Sequence, residues 1–258
     1  MKMSCEARFQ PDQDEPRNIR NFIGHLECLA GLTEEVGEEN EERRKDNQSS
    51  EGRAALARLR RTLGKDPDQA IRAYPYVVCW TQNLNDLFDK GEISKPRYEW
   101  QVSCYHLIAS LFAFYSKCRS WHHAENPKKE QRNLGASFRL LDEELRKMAG
   151  NDERSKSVER RFTSLLMSRR ADLPKRLRYA VALLKAEEIP IDWIQLLENL
   201  KWWDEDHSRR SSSSPIPSVQ RRWANSFWRV APTFGSEKEA ADYTQDNPQS
   251  TQDKEEDQ

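Results

Sequence analysis

RYEWQVSCYHLIASLFAFYSKC, residues 97–118, is the stretch that decides the fold. Trp100, Tyr105, Leu107, Ile108, Leu111, Phe112 and Tyr115 recur at helical spacing through it. It is the longest and most apolar segment of the chain and reads as the central core helix. Its most apolar part, Leu107–Tyr115, is far below the roughly 20 residues that a membrane-spanning helix needs.

Outward from this segment the pattern stays helical, and no stretch shows sustained period-two alternation. N-terminal to it, residues 19–31 form a short amphipathic stretch, and a strong helix begins at Gly52. Asp66-Pro67-Asp68 is a helix-start signal with proline in the first turn. Residues 67–73 and 75–88 are expected as short helices interrupted at Pro75, and Gly91 to Pro96 as a turn. On the C-terminal side, 119–133 reads as a loop. Helices are expected at about 134–149, 155–169, 173–186, 191–203 and 217–229, with ends uncertain by roughly 2–4 residues. The run Ser208–Pro217, with two arginines, five serines and two prolines, reads as a flexible loop. The expected fold is all-α, a bundle of about nine helices that could divide into two packed halves, 51–118 and 134–230. Residues 1–50 (a helix and acidic linker) and 231–258 (an acidic tail) are expected to be extensions, the acidic parts disordered.

The charge is distributed unevenly. The chain of 258 residues has a formal net charge of -1. Residues 1–50 carry -5 and residues 231–258 carry -6, which leaves +10 on residues 51–230. Acidic blocks such as Glu34–Glu42 and Asp242–Gln258 read as solvated extensions, or less simply as mimics of nucleic acid competing for the basic body. In helix 52–63, Leu56, Leu59 and Leu63 share one side, while Arg53, Arg58, Arg60, Arg61 and Lys65 spread over the other. Arg154–Lys185 holds ten basic residues against Glu159 and Asp172. In helix 173–186, Leu173, Leu177, Ala180, Val181 and Leu184 face inward, Lys175, Arg178 and Lys185 lie opposite, and Arg176 is on the flank. Asp172 is a candidate N-cap, and Arg169 and Arg170 end the preceding helix. Arginine's planar fork suits phosphate, and many such contacts bind backbone without reading base sequence. Two biased helices, with Arg221-Arg222 on a third, point to a phosphate-backbone groove.

Catalytic and metal signatures are absent. There is no GxGxxG, GxxxxGK[ST] or HExxH. Adjacent His122-His123 point different ways, His106 lies in the apolar helix, and Asp204-Glu205-Asp206 reads as a solvated helix end. Five cysteines without CxxC spacing argue against structural zinc and suggest reduced thiols. No metal, cofactor, enzymatic activity or membrane partner is therefore expected, and the N-terminus lacks a signal-peptide pattern. The eight tryptophans are mostly core candidates, although an exposed one would suit base stacking.

Gly52-Arg53-Ala54 with Leu56 through Arg61, Asp172 through Leu184, Ile189-Pro190-Ile191-Asp192-Trp193, Leu196-Leu197, Trp202-Trp203 and Val219 through Ala224 occur in an order that resembles the CasB family. CasB is the small subunit of the type I-E CRISPR surveillance complex, Cascade. The resemblance covers about residues 51–230. It implies a non-catalytic, all-helical cytoplasmic protein, present as a head-to-tail homodimer beside the other Cascade subunits and the guide CRISPR RNA. It further implies sequence-independent binding of target DNA and displaced strand during R-loop formation. By motif, the family's basic residues map onto Arg60, Arg61, Arg170 and Arg178, and more weakly onto Arg58, Arg169, Lys175 and Arg176. The acidic linker, serine-rich run and acidic tail depart from the pattern. A stand-alone helical DNA- or RNA-binding regulator and a scaffold protein are the other readings that the residues allow.

Overall fold

Ten consecutive buried residues, Cys104 to Ala113, lie in one helix, so every side of that helix must be covered by other parts of the chain. The computed structural model describes residues 10–32, 49–116, 132–150, 154–203 and 218–229. Among these there are no strands and nine helices of eight residues or more. They are α1 (Glu15–Ala30), α2 (Ser50–Arg60), α3 (Gln82–Asp89), α4 (Lys95–Phe114), α5 (Leu134–Ala149), α6 (Lys156–Leu166), α7 (Leu173–Ala186), α8 (Trp193–Lys201) and α9 (Val219–Trp228). The all-helical expectation therefore holds. No described helix is long and apolar enough to cross a membrane. Residues through Trp228 form one compact unit; of the second, Arg229–Gln258, only Arg229 is described.

The central helix α4 is covered by α1, α2, α3, α7 and α8. Polar ties fix the angles of this packing. Asn18 on α1, 1% exposed, donates through Nδ2 to the Trp80 carbonyl at 2.8 Å and to the Tyr105 hydroxyl at 3.3 Å. Trp100 Nε1 donates to the Leu200 carbonyl at 2.8 Å, joining α4 to α8. At the foot of α8, Lys201 is 1% exposed and pairs with the Glu15 carboxylate, which anchors the start of α1. Burial draws the Lys201 ammonium down to about 8. The layer away from α1 is built on α5, α6 and α9. Phe138, Phe162 and Phe227 stack there with centroids 4.9 and 4.5 Å apart. Asp142, fully buried, accepts from the Ser155 N–H at 2.8 Å and faces Arg146 at 3.2 Å.

Side chains cap the starts of α2, α5 and α8. Ser49 caps α2 by accepting from the Gly52 N–H at 2.9 Å, and Asp192 caps α8 by accepting from the Gln195 N–H at 2.9 Å. Asp172, expected as the N-cap of α7, makes no such bond. Its φ/ψ of -93°/-17° continues the preceding turn, whereas capping needs an extended residue. The expected helix 67–73 is two 3-10 turns, Pro67–Gln69 and Ile71–Ala73, separated by Ala70 at φ/ψ -93°/31°. One helical turn, Tyr74–Val77, and a third 3-10 turn, Val78–Thr81, follow before α3. Cys79 and Cys104 are free thiols. Most of the loop 119–133, the acidic linker, His122-His123, Asp204-Glu205-Asp206, the serine-rich run and the acidic tail lie outside the described residues.

Two predictions test this packing. A Cβ on Gly135 in α5 would come 2.7 Å from the Trp223 carbonyl carbon and 2.9 Å from its Cα on α9, both backbone atoms. Gly135→Ala should therefore lose about 1–3 kcal/mol of stability, read as a lower midpoint in thermal unfolding, whereas Gly135 kept beside an Ala149→Ser surface change should unfold like the parent. The second concerns His106, which is 5% exposed and packs edge-on against Tyr74 at 5.5 Å. Burial holds its pKa down to about 4 from the ordinary 6.5. The folded state then binds fewer protons than the unfolded one, so its share of stability is full above pH 6.5. It falls as pH drops toward 4, by about 2 kcal/mol at pH 5. Urea unfolding at pH 7 and pH 5 should show this loss, and His106→Gln should flatten the difference.

Candidate nucleic-acid interface

The two basic helices meet at the C-terminal end of α4. Arg60, in the last turn of α2, donates from Nε to the Ala113 carbonyl at 3.0 Å. Lys185, in the last turn of α7, donates from Nζ to the Phe114 carbonyl at 2.8 Å and sits 4.2 Å from the centre of the Phe114 ring. The final carbonyls of a helix have no partner within it and carry its negative partial charge. Two cations from two different helices satisfy neighbouring carbonyls there, and this pins α2 and α7 to the same place.

A third contact closes the junction. Gly64, in the turn after α2, has φ +84°, and a Cβ built on it would lie 3.6 Å from Nη1 of Arg178. The Arg178 guanidinium therefore lies over the turn that follows α2. Arg61 and Lys65 are exposed on that same turn. Neither the Arg61 nor the Arg178 side chain has a hydrogen bond or ion pair with a described residue, so both can meet an outside anion. They stand beside two cations already engaged with carbonyl oxygens.

The remaining predicted residues are distributed around this junction. Arg53 is exposed at the start of α2, about 12 Å along the helix from Arg61. Arg58 is exposed and donates to the Tyr76 hydroxyl at 2.9 Å. Lys175 is exposed on the first turn of α7, and Arg169 is exposed just before that helix. Arg170 is half-buried: its Nε donates to the Trp203 carbonyl at 2.8 Å, and its guanidinium lies 5.2 Å above the Trp100 ring. Trp100 and Ala113 are thirteen residues apart on α4, about 20 Å, so Arg170 stands at the opposite end of the basic strip from Arg60. Arg176 donates from Nη1 to Ser164 Oγ at 2.6 Å. It lines a shallow concavity of about 640 Å³ with Lys156 and Arg160, where Glu159 and Asp172 offset the cations.

The structure thus sets Arg178 over the turn that follows Arg60 and Arg61, places Lys175 on α7 and Arg169 just before it, and turns Arg58, Arg170 and Arg176 toward protein partners. α7 contains no acid, and the acids nearest its start, Asp172 and Glu159, lie on the side of Arg176. Sequence reading left Lys185 out of the site. Its position in the last turn of a helix was a usable signal, because cations there often meet carbonyls. No group of three or more His, Cys, Asp or Glu among the described residues could hold a metal ion.

Comparison with known proteins gives a consistent relationship. The family described as CRISPR-associated protein Cse2 matches residues 55–228. A curated relative, the CRISPR-associated protein Cse2 of Thermus thermophilus, is 29% identical over 175 residues, covering 68% of this chain and 79% of the relative. The crystal structure of M. ruber CasB is similar in fold, with a TM-score of 0.52 and 24% identity over 84% of this chain and 94% of that one.

The division between engaged and free cations can be tested by stability. Arg60→Ala and Lys185→Ala each remove a charge-assisted bond to a helix-terminal carbonyl and should cost about 1–2 kcal/mol. Arg61→Ala and Arg178→Ala should change stability by less than about 0.5 kcal/mol. Chemical denaturation of the four variants measures the difference.

Proposed function

Because the chain belongs to the CRISPR-associated Cse2 (CasB) family, we propose that it is a non-catalytic small subunit of the type I-E surveillance complex, Cascade, and holds nucleic-acid backbone during R-loop formation in antiviral defence. In this reading it sits in the cytoplasm as a homodimer, beside the other Cascade subunits and the guide CRISPR RNA. Its basic strip contacts the phosphates of the target and displaced DNA strands. The observation that carries the reading is the junction at the end of α4, where Arg61 and Arg178 stand exposed and without a described partner beside Gly64.

The physics of the task fits such a surface. In RNA-guided recognition, base pairing with the guide reads the sequence, and exchanging DNA pairing for RNA–DNA pairing is nearly balanced. Modest contacts to the backbone then suffice to favour the opened state. Such contacts need charge, bidentate geometry and indifference to base identity. Arginines on the outer faces of rigid helices supply all three.

Nucleic-acid binding by an Arg61→Ala/Arg178→Ala double variant, titrated over a range of salt, tests the reading. Each lost phosphate contact should reduce the slope of log affinity against log salt by about 0.9 for duplex DNA, with thermal stability unchanged. The same variant assembled with its partner subunits should capture target DNA more weakly than the parent while assembling normally. Unchanged affinity, slope and capture would show that this surface does not bind phosphate. A strong preference for one duplex sequence would instead favour a stand-alone regulator.

A further inference from the structure

The phosphate-binding strip has one aromatic side chain set into it. Tyr179 is 61% exposed on α7. With Leu177, Val181 and Leu184 facing the core, 100° per residue places Tyr179 at the centre of the outer face. Lys175 is one turn before it, and Arg176 and Arg178 flank it on either side. A single exposed tyrosine is ordinary on a protein surface. This one is framed by three cations on a helix that contains no acid.

Among the described aromatics near the basic surface, its ring is also the free one. Arg97 lies 4.5 Å over Trp202, Arg170 lies 5.2 Å over Trp100, and Lys185 lies 4.2 Å over Phe114. Trp80, Trp193, Trp203 and Trp223 are buried. Trp228 is packed against Phe162 and Phe227, with its Nε1 donating to Glu159. Among the described residues, Tyr179 has no ring partner, no cation over its face and no hydrogen bond from its hydroxyl. A flat apolar face held open inside a ring of cations matches a nucleobase attached to a phosphate chain.

We infer that Tyr179 is a base-stacking residue, and that it makes the α7 strip a site for unpaired rather than duplex nucleic acid. The inference rests on the proposed phosphate-binding role of Arg61 and Arg178 and adds the side chain that meets the bases of an unpaired strand. The bases of a duplex are stacked on one another, and reaching a π face there requires unstacking a step or flipping a base out. An unpaired strand offers its base faces freely, and stacking on an aromatic side chain tolerates every base. Phosphates on Lys175 and Arg178 would fix the backbone on either side of the base.

The test measures the full chain with three labelled probes of equal length: an oligothymidylate, the same backbone made abasic, and a duplex. Tyr179→Ala should weaken oligothymidylate binding by about 5- to 150-fold. It should leave the abasic and duplex affinities, the salt slope and the unfolding midpoint unchanged. Tyr179→Phe and Tyr179→Trp should retain parental affinity for oligothymidylate. Equal losses on all three probes, or no loss on oligothymidylate, overturn the inference. Loss of self-association with oligothymidylate affinity intact overturns it as well. If Arg61→Ala/Arg178→Ala weakens all three probes while Tyr179→Ala weakens none, stacking fails and the phosphate role stands. If neither change weakens any probe, the phosphate role itself fails.

Discussion

A helix buried on every side poses a requirement at its end. The ten-residue buried run of α4 excludes water from its flanks, and its last carbonyls still need hydrogen-bond donors. Arg60 and Lys185 supply them at Ala113 and Phe114. The rest of the arrangement depends on this contact, because it draws the C-terminal ends of α2 and α7 to one point. Charge that would repel if both helices faced only water is held in place by the terminal carbonyls of a third helix. The exposed neighbours Arg61 and Arg178 then share a surface although they are more than a hundred positions apart in the chain.

Cation–aromatic contacts extend the same arrangement. Arg97 on Trp202, Arg154 on Phe227 and Arg170 on Trp100 each cover a ring at the edge of the core. These arginines act as lids on apolar surface as well as charges, laying the guanidinium against the ring. A basic composition therefore serves two purposes here. Part of it closes the core, and only the remainder faces outward. Counting cations along the sequence overstates how many can reach a ligand.

That distinction marks where sequence reading succeeded and where it stopped. Helices α5 and α7 run over 134–149 and 173–186, as their apolar spacing indicates. The inward leucines of α2 and α7 are legible for the same reason, since a 3.6-residue period places a burial face without knowledge of what covers it. The start signal at Asp66-Pro67-Asp68 points to short helices over 67–73 and 75–88, but Ala70 leaves helical geometry and only short turns form before α3. The partners of Arg60, Arg170 and Lys185 were illegible because they are carbonyls 53, 33 and 71 residues away, and no periodicity encodes such contacts. The same holds for the tryptophans. Trp203 is fully buried while its neighbour Trp202 is only half-buried, and adjacent identical residues carry no signal of which one turns inward.

The close seat of Gly135 against the backbone of Trp223 has a temporal side. These residues are separated by 88 positions, yet α5 and α9 form the most extensive helix pair among the described residues. During synthesis α5, α6 and α7 leave the ribosome before α9 exists, so Phe138 and Phe162 wait without their third aromatic partner, Phe227. Chains emerge at about 5–20 residues per second, which makes this wait several seconds long. For that interval the nascent protein lacks the helix that covers these two rings, and its final helix acts as the latch that ends their exposure.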